Sequence, residues 1–321
     1  MRLPRNRVVR RVAETLGILF GVAVLVFVML RAIPGDQITA GLGTEAAALT
    51  PAQRQALEQY YGLDQPLLAQ FFSWLGNMVT GNFGYSARSQ QSVLELTLHS
   101  LPVTFELAVL SILLALLIGV PLGVLAASRT GSIRDAAGQV VSLAGLSIPA
   151  FLLATTLLSV FAASFGFNPN GQGFATLFED PLLNLRQMLL PAIVLGFGIA
   201  APILRTTRAA VLEVRSDDFV RTARAKGVPE RRLQIRHVLG NALVPIVTMT
   251  GLQFGYLLGG AVVVEQIFSV PGIGRQVLLG IQQKEYAVVQ STVLVIALAF
   301  VLVNLLTDLL YRVIDPRVRA S

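Results

Sequence analysis

The sequence predicts an all-α membrane protein with six transmembrane helices and both termini cytoplasmic, and three observations carry that prediction. Of its 321 residues 54% are hydrophobic and only 13% are charged, roughly half of the ~25% that a water-facing surface carries. Six stretches without Asp, Glu, Lys or Arg are each long enough for a helix through a bilayer core of about 30 Å. The basic residues, finally, crowd onto alternate loops. With a mean hydropathy of +0.68, the chain is neither disordered, nor a coiled coil, nor an ordinary soluble enzyme. Cysteine is absent, which removes disulfides, thiolate metal sites and cysteine nucleophiles together.

Taken in order, Glu14 and Arg31 bracket 16 uncharged residues, Glu106 and Arg129 bracket 22, and Asp135 and Glu179 bracket 43. Arg186 and Arg205 then bracket 18, Arg236 and Glu265 bracket 28, and Glu285 and Asp308 bracket 22. Adjusted for flanking apolar and loop residues, the spans read 12–33, 102–127, 140–165, 187–205, 243–266 and 288–311. None shows the alternation of a barrel strand. The first span follows Arg2, Arg5, Arg7, Arg10 and Arg11, but no small-x-small cleavage site follows it, so it reads as a retained signal anchor.

With residues 1–11 inside, the inner segments hold 19 basic residues and the outer segments 6. That split puts 34–101 outside as the one sizeable external loop, and puts 206–241 and the tail 312–321 in the cytoplasm. The net charge of +7 is therefore a matter of topology, not a sign of a nucleic-acid partner. In the external loop Thr50-Pro51 opens a short helix over 51–61, and Pro66 to Val79 forms another. Their aromatics Tyr60, Tyr61 and Trp74 pack on the membrane domain or lie in the interface, with docking of an external partner as the alternative.

Within the spans, Gly251, Gly255 and Gly259 recur four apart on the fifth helix, as Gly119 and Gly123 do on the second, a spacing that permits close helix packing. Pro121, Pro149, Pro191, Pro202 and Pro245 are expected to kink or end helices. Gln253, Glu265, Asn304 and Asp308 are the polar candidates for a pathway or gate. The competing role is structural, since Glu265 and Asp308 fall near the interfaces and Asp308 can pair with Arg312.

The cytoplasmic loop reads either as a positive-inside anchor touching anionic lipid or as a lever. It carries nine Lys and Arg between 205 and 236. Residues 217–227 read as a short amphipathic helix, with Ser216 or Asp217 placed to cap its start and Gly227 its end. Pro229 starts a second short helix. Small residues at Ala223 and Ala225 let another surface approach. Two short helices just outside the membrane suit a lever worked by a soluble partner.

In this loop the chain resembles the inner-membrane permease subunits of binding-protein-dependent ABC importers. Their cytoplasmic signature is Glu-Ala-Ala, three residues, Gly, nine residues, Ile, one residue, Leu-Pro. Aligned on Gly227, this sequence keeps Ala223, Gly227 and Leu239, and has Arg221, Thr222, His237 and Gly240 where the signature has Glu, Ala, Ile and Pro. The run RTARAKG (221–227) is similar to the dipeptide and oligopeptide branch, the B-type permeases. So, in order, are Ile33-Pro34-Gly35-Asp36, GLDQPLLAQFFSWL (62–75), GNFGYS (81–86), LPVTFELA (101–108), FSVPGIGR (268–275) and NLLTDLLYRVIDPRVR (304–319). Gln37 departs from a proline common in that branch.

The resemblance implies a type I importer permease in the bacterial inner membrane. It implies a second homologous permease, two ATPase subunits and an extracytoplasmic solute-binding protein as partners. Asp218, Phe219, Arg221, Ala223, Arg224, Ala225 and Gly227 would form the coupling helix that docks an ATPase. The solute would be a di- or oligopeptide, or, as in relatives, nickel or glutathione. The chain itself needs no cofactor, since ATP and Mg²⁺ would belong to the partner chains. Its only lysines, Lys226 and Lys284, lack the Gly-Lys-Ser/Thr context of a phosphate-binding loop.

Two other classes fit poorly. An intramembrane serine hydrolase would need Gly145-Leu146-Ser147 to continue to a second glycine, where Pro149 stands, and His99 and His237 fall outside the spans. Those two histidines form no zinc motif either. An ion-coupled secondary transporter is the stronger rival, but six spans are few for one, and no Asp/Glu/His relay lies at mid-membrane.

Overall fold

The computed structural model describes residues 5–32, 38, 48–60, 62–86, 88–168, 171 and 173–314, with side chains described except at 5–9, 12, 60, 260 and 308–314. The Ile33-to-Asp36 motif, Gln37, Tyr61 and the last residues of the 304–319 motif fall outside them.

In chain order the helices are α1 (Arg5–Ala32), α2 (Pro51–Tyr60), α3 (Leu67–Val79), α4 (Val93–Ser128), α5 (Ile133–Ser147), α6 (Ala150–Phe165) and α7 (Pro181–Ser216). There follow α8 (Asp218–Ala225), α9 (Glu230–Arg232) running into a π-helical segment Leu233–Leu239, then α10 (Gly240–Gly260), α11 (Val262–Ile267), α12 (Ile273–Gln282) and α13 (Tyr286–Ile314). A two-stranded hairpin, β1 (Tyr85–Ser86) with β2 (Gln91–Ser92), is a small addition to the expected all-α plan. Among the described residues five helices are long and apolar enough to cross a bilayer, six when the bent pair α5–α6 counts as one span.

That pair departs from the straight span expected over 140–165. Its halves meet at 96°. Ile148, caught before Pro149, is extended at φ −77° and ψ 117°, because a proline ring drives its predecessor out of the helical region. The other prolines behave differently: Pro191 and Pro202 lie inside α7 and Pro245 inside α10, and each helix continues through them.

Residues 1–102 with 271–301 form one compact unit, and 103–270 with 302–321 form another. In the first, a reciprocal cap starts α2: the Gln53 N–H donates to Thr50 Oγ1 at 3.3 Å, and Thr50 N–H donates to Gln53 Oε1 at 2.9 Å. Helix α3 lies on α1 through Phe71, which meets the Phe27 ring edge-on at 5.2 Å, and through Trp74, stacked on Phe27 at 6.0 Å. The Arg31 guanidinium covers the other side of Phe27 at 3.4 Å and donates to Gln70 Oε1 at 2.8 Å. The aromatics of the loop after the first span thus pack on that span through Phe71 and Trp74, while Leu67, Leu68 and Phe72 of α3 stay exposed.

The second unit is built around α7. Asp180 caps it, accepting from the Leu182 and Leu183 N–H groups at 3.1 and 3.0 Å, with Pro181 at the first position. Of its most apolar window 72% is buried, against 22–39% in the other spanning helices. Glycines bring α4 against it almost backbone to backbone. A Cβ on Gly119 would stand 2.8 Å from the Ala200 carbonyl, and one on Gly123 would stand 2.6 Å from Thr207 Cβ. Around this seam Leu107, Ala115, Met188 and Ile203 close an apolar core.

The glycines of α10 do not act alike. Gly251 faces the Thr307 side chain of α13 so closely that a Cβ would collide with it. Gly259 is exposed and has nothing within 4 Å. The four-residue spacing is therefore not one continuous contact stripe. Gly123→Ala is expected to cost about 1–3 kcal/mol through overpacking, whereas Gly259→Ala is neutral or slightly stabilising. Thermal unfolding in one detergent checks both; equal losses would remove the close-approach argument.

Candidate functional site

The segment between the fourth and fifth spans starts where α7 stops. The Ser216 hydroxyl turns back to the Glu213 carbonyl at 2.6 Å, and Asp217, at the N-cap of α8, makes no side-chain cap. Neither residue caps α8 as the sequence predicted, because Ser216 is spent on closing α7. The other end is as expected. Gly227, at φ +77°, takes the left-handed turn, with the Val228 N–H on the Ala223 carbonyl at 3.2 Å and the Gly227 N–H on that of Arg224 at 3.0 Å.

Helix α8 has one deep anchor. Val220 is fully buried among Val211, Leu233, Val238 and Ile246, and Ala223 packs partly against the same cluster. Ala223 is thus half-buried on this side of the helix, and Ala225 is exposed. Asp218, Phe219, Arg221 and Arg224 point to solvent. Asp218 and Arg221 form a loose exposed pair at 3.5 Å, worth little by itself. Arg224 reaches across the Gly227 turn to Glu230 at 3.2 Å, and Glu230 also accepts from Gln234 at 3.0 Å.

The second short helix is no separate element. Pro229 is its N-cap, α9 is three residues long, and the chain runs on without a break through the π segment into α10. The loop therefore holds one short helix joined to the root of a spanning one.

Two arginines that sequence reading did not single out tie this segment to the α4–α5 turn. Arg215 donates to the carbonyls of Ala127 and Ser128 at 2.7 and 3.0 Å, meeting the C-terminus of α4. Arg208 grips Asp135 with two parallel bonds of 2.7 and 2.9 Å. Asp135 also accepts from the Gly131 N–H at 3.0 Å and from Gln139 at 3.1 Å. The one local signal for Asp135 is its place in the first turn after the Ser132 cap. Its partner lies 73 positions away, beyond the reach of any spacing rule.

The polar pathway candidates are dispersed. Gln253 is half-buried on α10 and donates to Met249 Sδ at 3.6 Å. Glu265 is fully buried on α11 and accepts from the Thr104 hydroxyl at 2.6 Å. Asn304 is half-buried on α13, and the side chains of Asp308 and Arg312 fall outside those described. Among the described residues no three His, Asp or Glu side chains gather to hold a metal.

Residues 119–320 match the family described as the binding-protein-dependent transport system inner membrane component, and residues 5–108 match the N-terminal region of the same components. The chain belongs to this family. A provisionally named peptide permease protein of Brucella ovis is 40% identical over 309 residues, 95% of this chain and 96% of the relative. The glutathione transport system permease protein GsiC of Escherichia coli K12 is 38% identical over 314 residues, 98% of this chain and 99% of the relative. GsiC of Shigella dysenteriae matches equally.

The protein is accordingly a multi-pass inner-membrane permease subunit of an ABC importer, homologous to peptide and glutathione permeases. For such a subunit the Asp135–Arg208 pair fixes the roots of α5 and α7 against each other. Asp135→Asn is expected to lower the Tm by leaving the Arg208 charge without its carboxylate. Arg208→Gln in that background should recover part of the loss, because no lone charge then remains. Strictly additive losses in the double variant would show that the two side chains are not coupled.

Proposed function

We propose that this permease imports short peptides, in a class that includes the tripeptide glutathione, as one of two permease halves. An extracytoplasmic binding protein delivers the solute, and two cytosolic ATPase subunits drive the cycle with ATP and Mg²⁺. Both termini lie in the cytoplasm. The end-to-end likeness to permeases named for peptides and for glutathione carries the solute class.

Helix α8 is the coupling helix in this reading. Its outward face offers Phe219 and Ala225 for apolar contact, with Asp218, Arg221 and Arg224 for charge-assisted bonds to a groove on the ATPase. Val220 holds the helix to the α7 and α10 roots from behind, so a push from below reaches two spanning helices at once. ATP-driven closure would favour one of two arrangements of those helices, which is all that a driver of alternating access must do. The ion-coupled carrier remains the rival of a different class.

In the complete importer, Phe219→Ala with Arg221→Glu is expected to reduce peptide-stimulated ATP hydrolysis at least tenfold and to weaken co-purification of the ATPase. Undiminished stimulation would end the docking role. Peptide uptake by this chain alone in liposomes, driven by an ion gradient, would instead identify a carrier, and uptake of Ni²⁺ but not of peptide would replace the solute. Topology is read with single cysteines in this cysteine-free chain. A membrane-impermeant maleimide is expected to label Ser89→Cys in spheroplasts, and Ser128→Cys only after lysis.

A further inference from the structure

One charge-free stretch of the sequence belongs to none of the spans. The 23 residues between Asp64 and Arg88 contain no Asp, Glu, Lys or Arg, one more than each of the gaps that mark α4 and α13. Thirteen of them form α3. At 1.5 Å per residue that helix is about 20 Å long, too short for a bilayer core of about 30 Å. An apolar helix of this length inside a membrane protein suits an interfacial or re-entrant position.

Helix α3 divides lengthwise into three strips. Phe71, Trp74 and Leu75 close on Ala23 and Phe27 of α1, with Leu294 of α13 at the edge. Leu68, Phe72 and Val79 form the strip on one side of that contact. With Leu75 they follow the four-, three- and four-residue steps of a helix face, yet they are 73%, 61% and 83% exposed. Gln70, Ser73 and Asn77, three and four residues apart, form the polar strip on the other side, where Ser73 and Asn77 are exposed.

Large apolar side chains left bare beside polar ones mark a surface for a partner or for a membrane. Depth along α1 decides between the two. The Phe71 ring meets the Phe27 ring at 5.2 Å and the Phe20 ring at 5.8 Å. Phe27 and Phe20 stand five and twelve residues before Ala32, where the spanning window Ala13–Ala32 ends. They are therefore roughly 8 and 18 Å along the axis from that end, and Phe71 between them sits at hydrocarbon depth. The polar strip is held higher. Gln70 accepts from Arg31, in the last turn of α1, at 2.8 Å and donates to the Gln65 carbonyl at 2.8 Å. With Gln70 at the rim, the opposite strip of α3 is the one turned toward the bilayer interior. On α1 itself Val24 and Val28, four and eight residues after Phe20, are exposed at the same levels.

We propose that α3 lies in the bilayer leaflet at the C-terminal end of α1, with lipid acyl chains covering Leu68, Phe72 and Val79. Ser73 and Asn77 rest at the level of the head groups, the posture of an interfacial amphipathic helix. A soluble partner would have to enter hydrocarbon to reach the bare strip. The strip carries Leu, Phe and Val, and none of the small residues that seat α4 and α5 on α7, which suits fluid chains rather than a second helix. The loop between the first two spans is thereby fastened to the membrane midway. This holds whatever the solute.

The absence of cysteine gives the test clean sites. The chain, purified with its accompanying subunits freed of reactive cysteines, carries an environment-sensitive fluorophore on Leu68→Cys, Phe72→Cys or Ser73→Cys in nanodiscs. Ser89→Cys on the hairpin loop serves as the water-facing reference. Quenching is read with lipid bearing a nitroxide on its acyl chain and with iodide in the water. At Leu68 and Phe72 the nitroxide is expected to quench at least threefold more than at Ser89, and iodide at least tenfold less. At Ser73 iodide is expected to quench within about threefold of Ser89. Iodide quenching at Leu68 and Phe72 as strong as at Ser89 overturns the proposal. Protection from both quenchers overturns it too, since another protein would then cover the strip. Equal nitroxide quenching at Ser73 and Phe72 would sink the assigned orientation. Leu68 and Phe72 are read independently, so a label that blocks assembly at one leaves the other to decide.

Discussion

The second unit depends on how closely the α7 backbone is approached. Lipid supplies no hydrophobic force between helices, so contact must come from packing and from polar bonds. Gly119 and Gly123 let α4 reach the Ala200 and Leu204 carbonyls of α7, and Gly145 brings α5 to Ala201 in the same way. With two helices seated on one, α7 becomes a post. The C-termini of α4 and α7 and the start of α5 are then near enough for Arg215 and Arg208 to bridge them. The short helix that follows α7 inherits its position from that arrangement.

Polar bonding in the two units serves different ends. In the second it locks helix roots together: Asp135 with four donors, and the α4 terminus with Arg215. In the first it fixes a loop outside the spans, where Glu285 holds the hairpin and Ser291 donates to the Phe83 carbonyl at 2.8 Å. One set ties helix ends to each other. The other ties a loop to a helix turn.

Much of the fold was legible because charge is expensive in hydrocarbon, and the gaps between ionisable residues therefore mark helices. Gly227 was legible because only a residue at ease in the left-handed region ends a helix that way. The break at Ile148 could have been read from the proline after it, yet Pro191, Pro202 and Pro245 carry the same mark inside continuous helices. Neighbouring helices, not the ring alone, decide that outcome. Asp135–Arg208, Thr104–Glu265 and Ser86–Glu285 lie 73, 161 and 199 positions apart, so no local pattern announces them. Helix α8 was legible in composition but not in orientation: Val220, which the sequence did not single out, sets which side of α8 is down, and Ala223 is half-buried beside it.

The π-helical segment Leu233–Leu239 joins this short helix to the fifth span. A π turn holds one residue more than an α turn, so the joint stores spare chain that the straight helix above it does not. Rewinding that slack into α-helix would twist the whole of α10 about its axis while Glu230 stayed tied to Arg224. A push at the base could then leave the joint as a rotation, the way a screw converts thrust into turn.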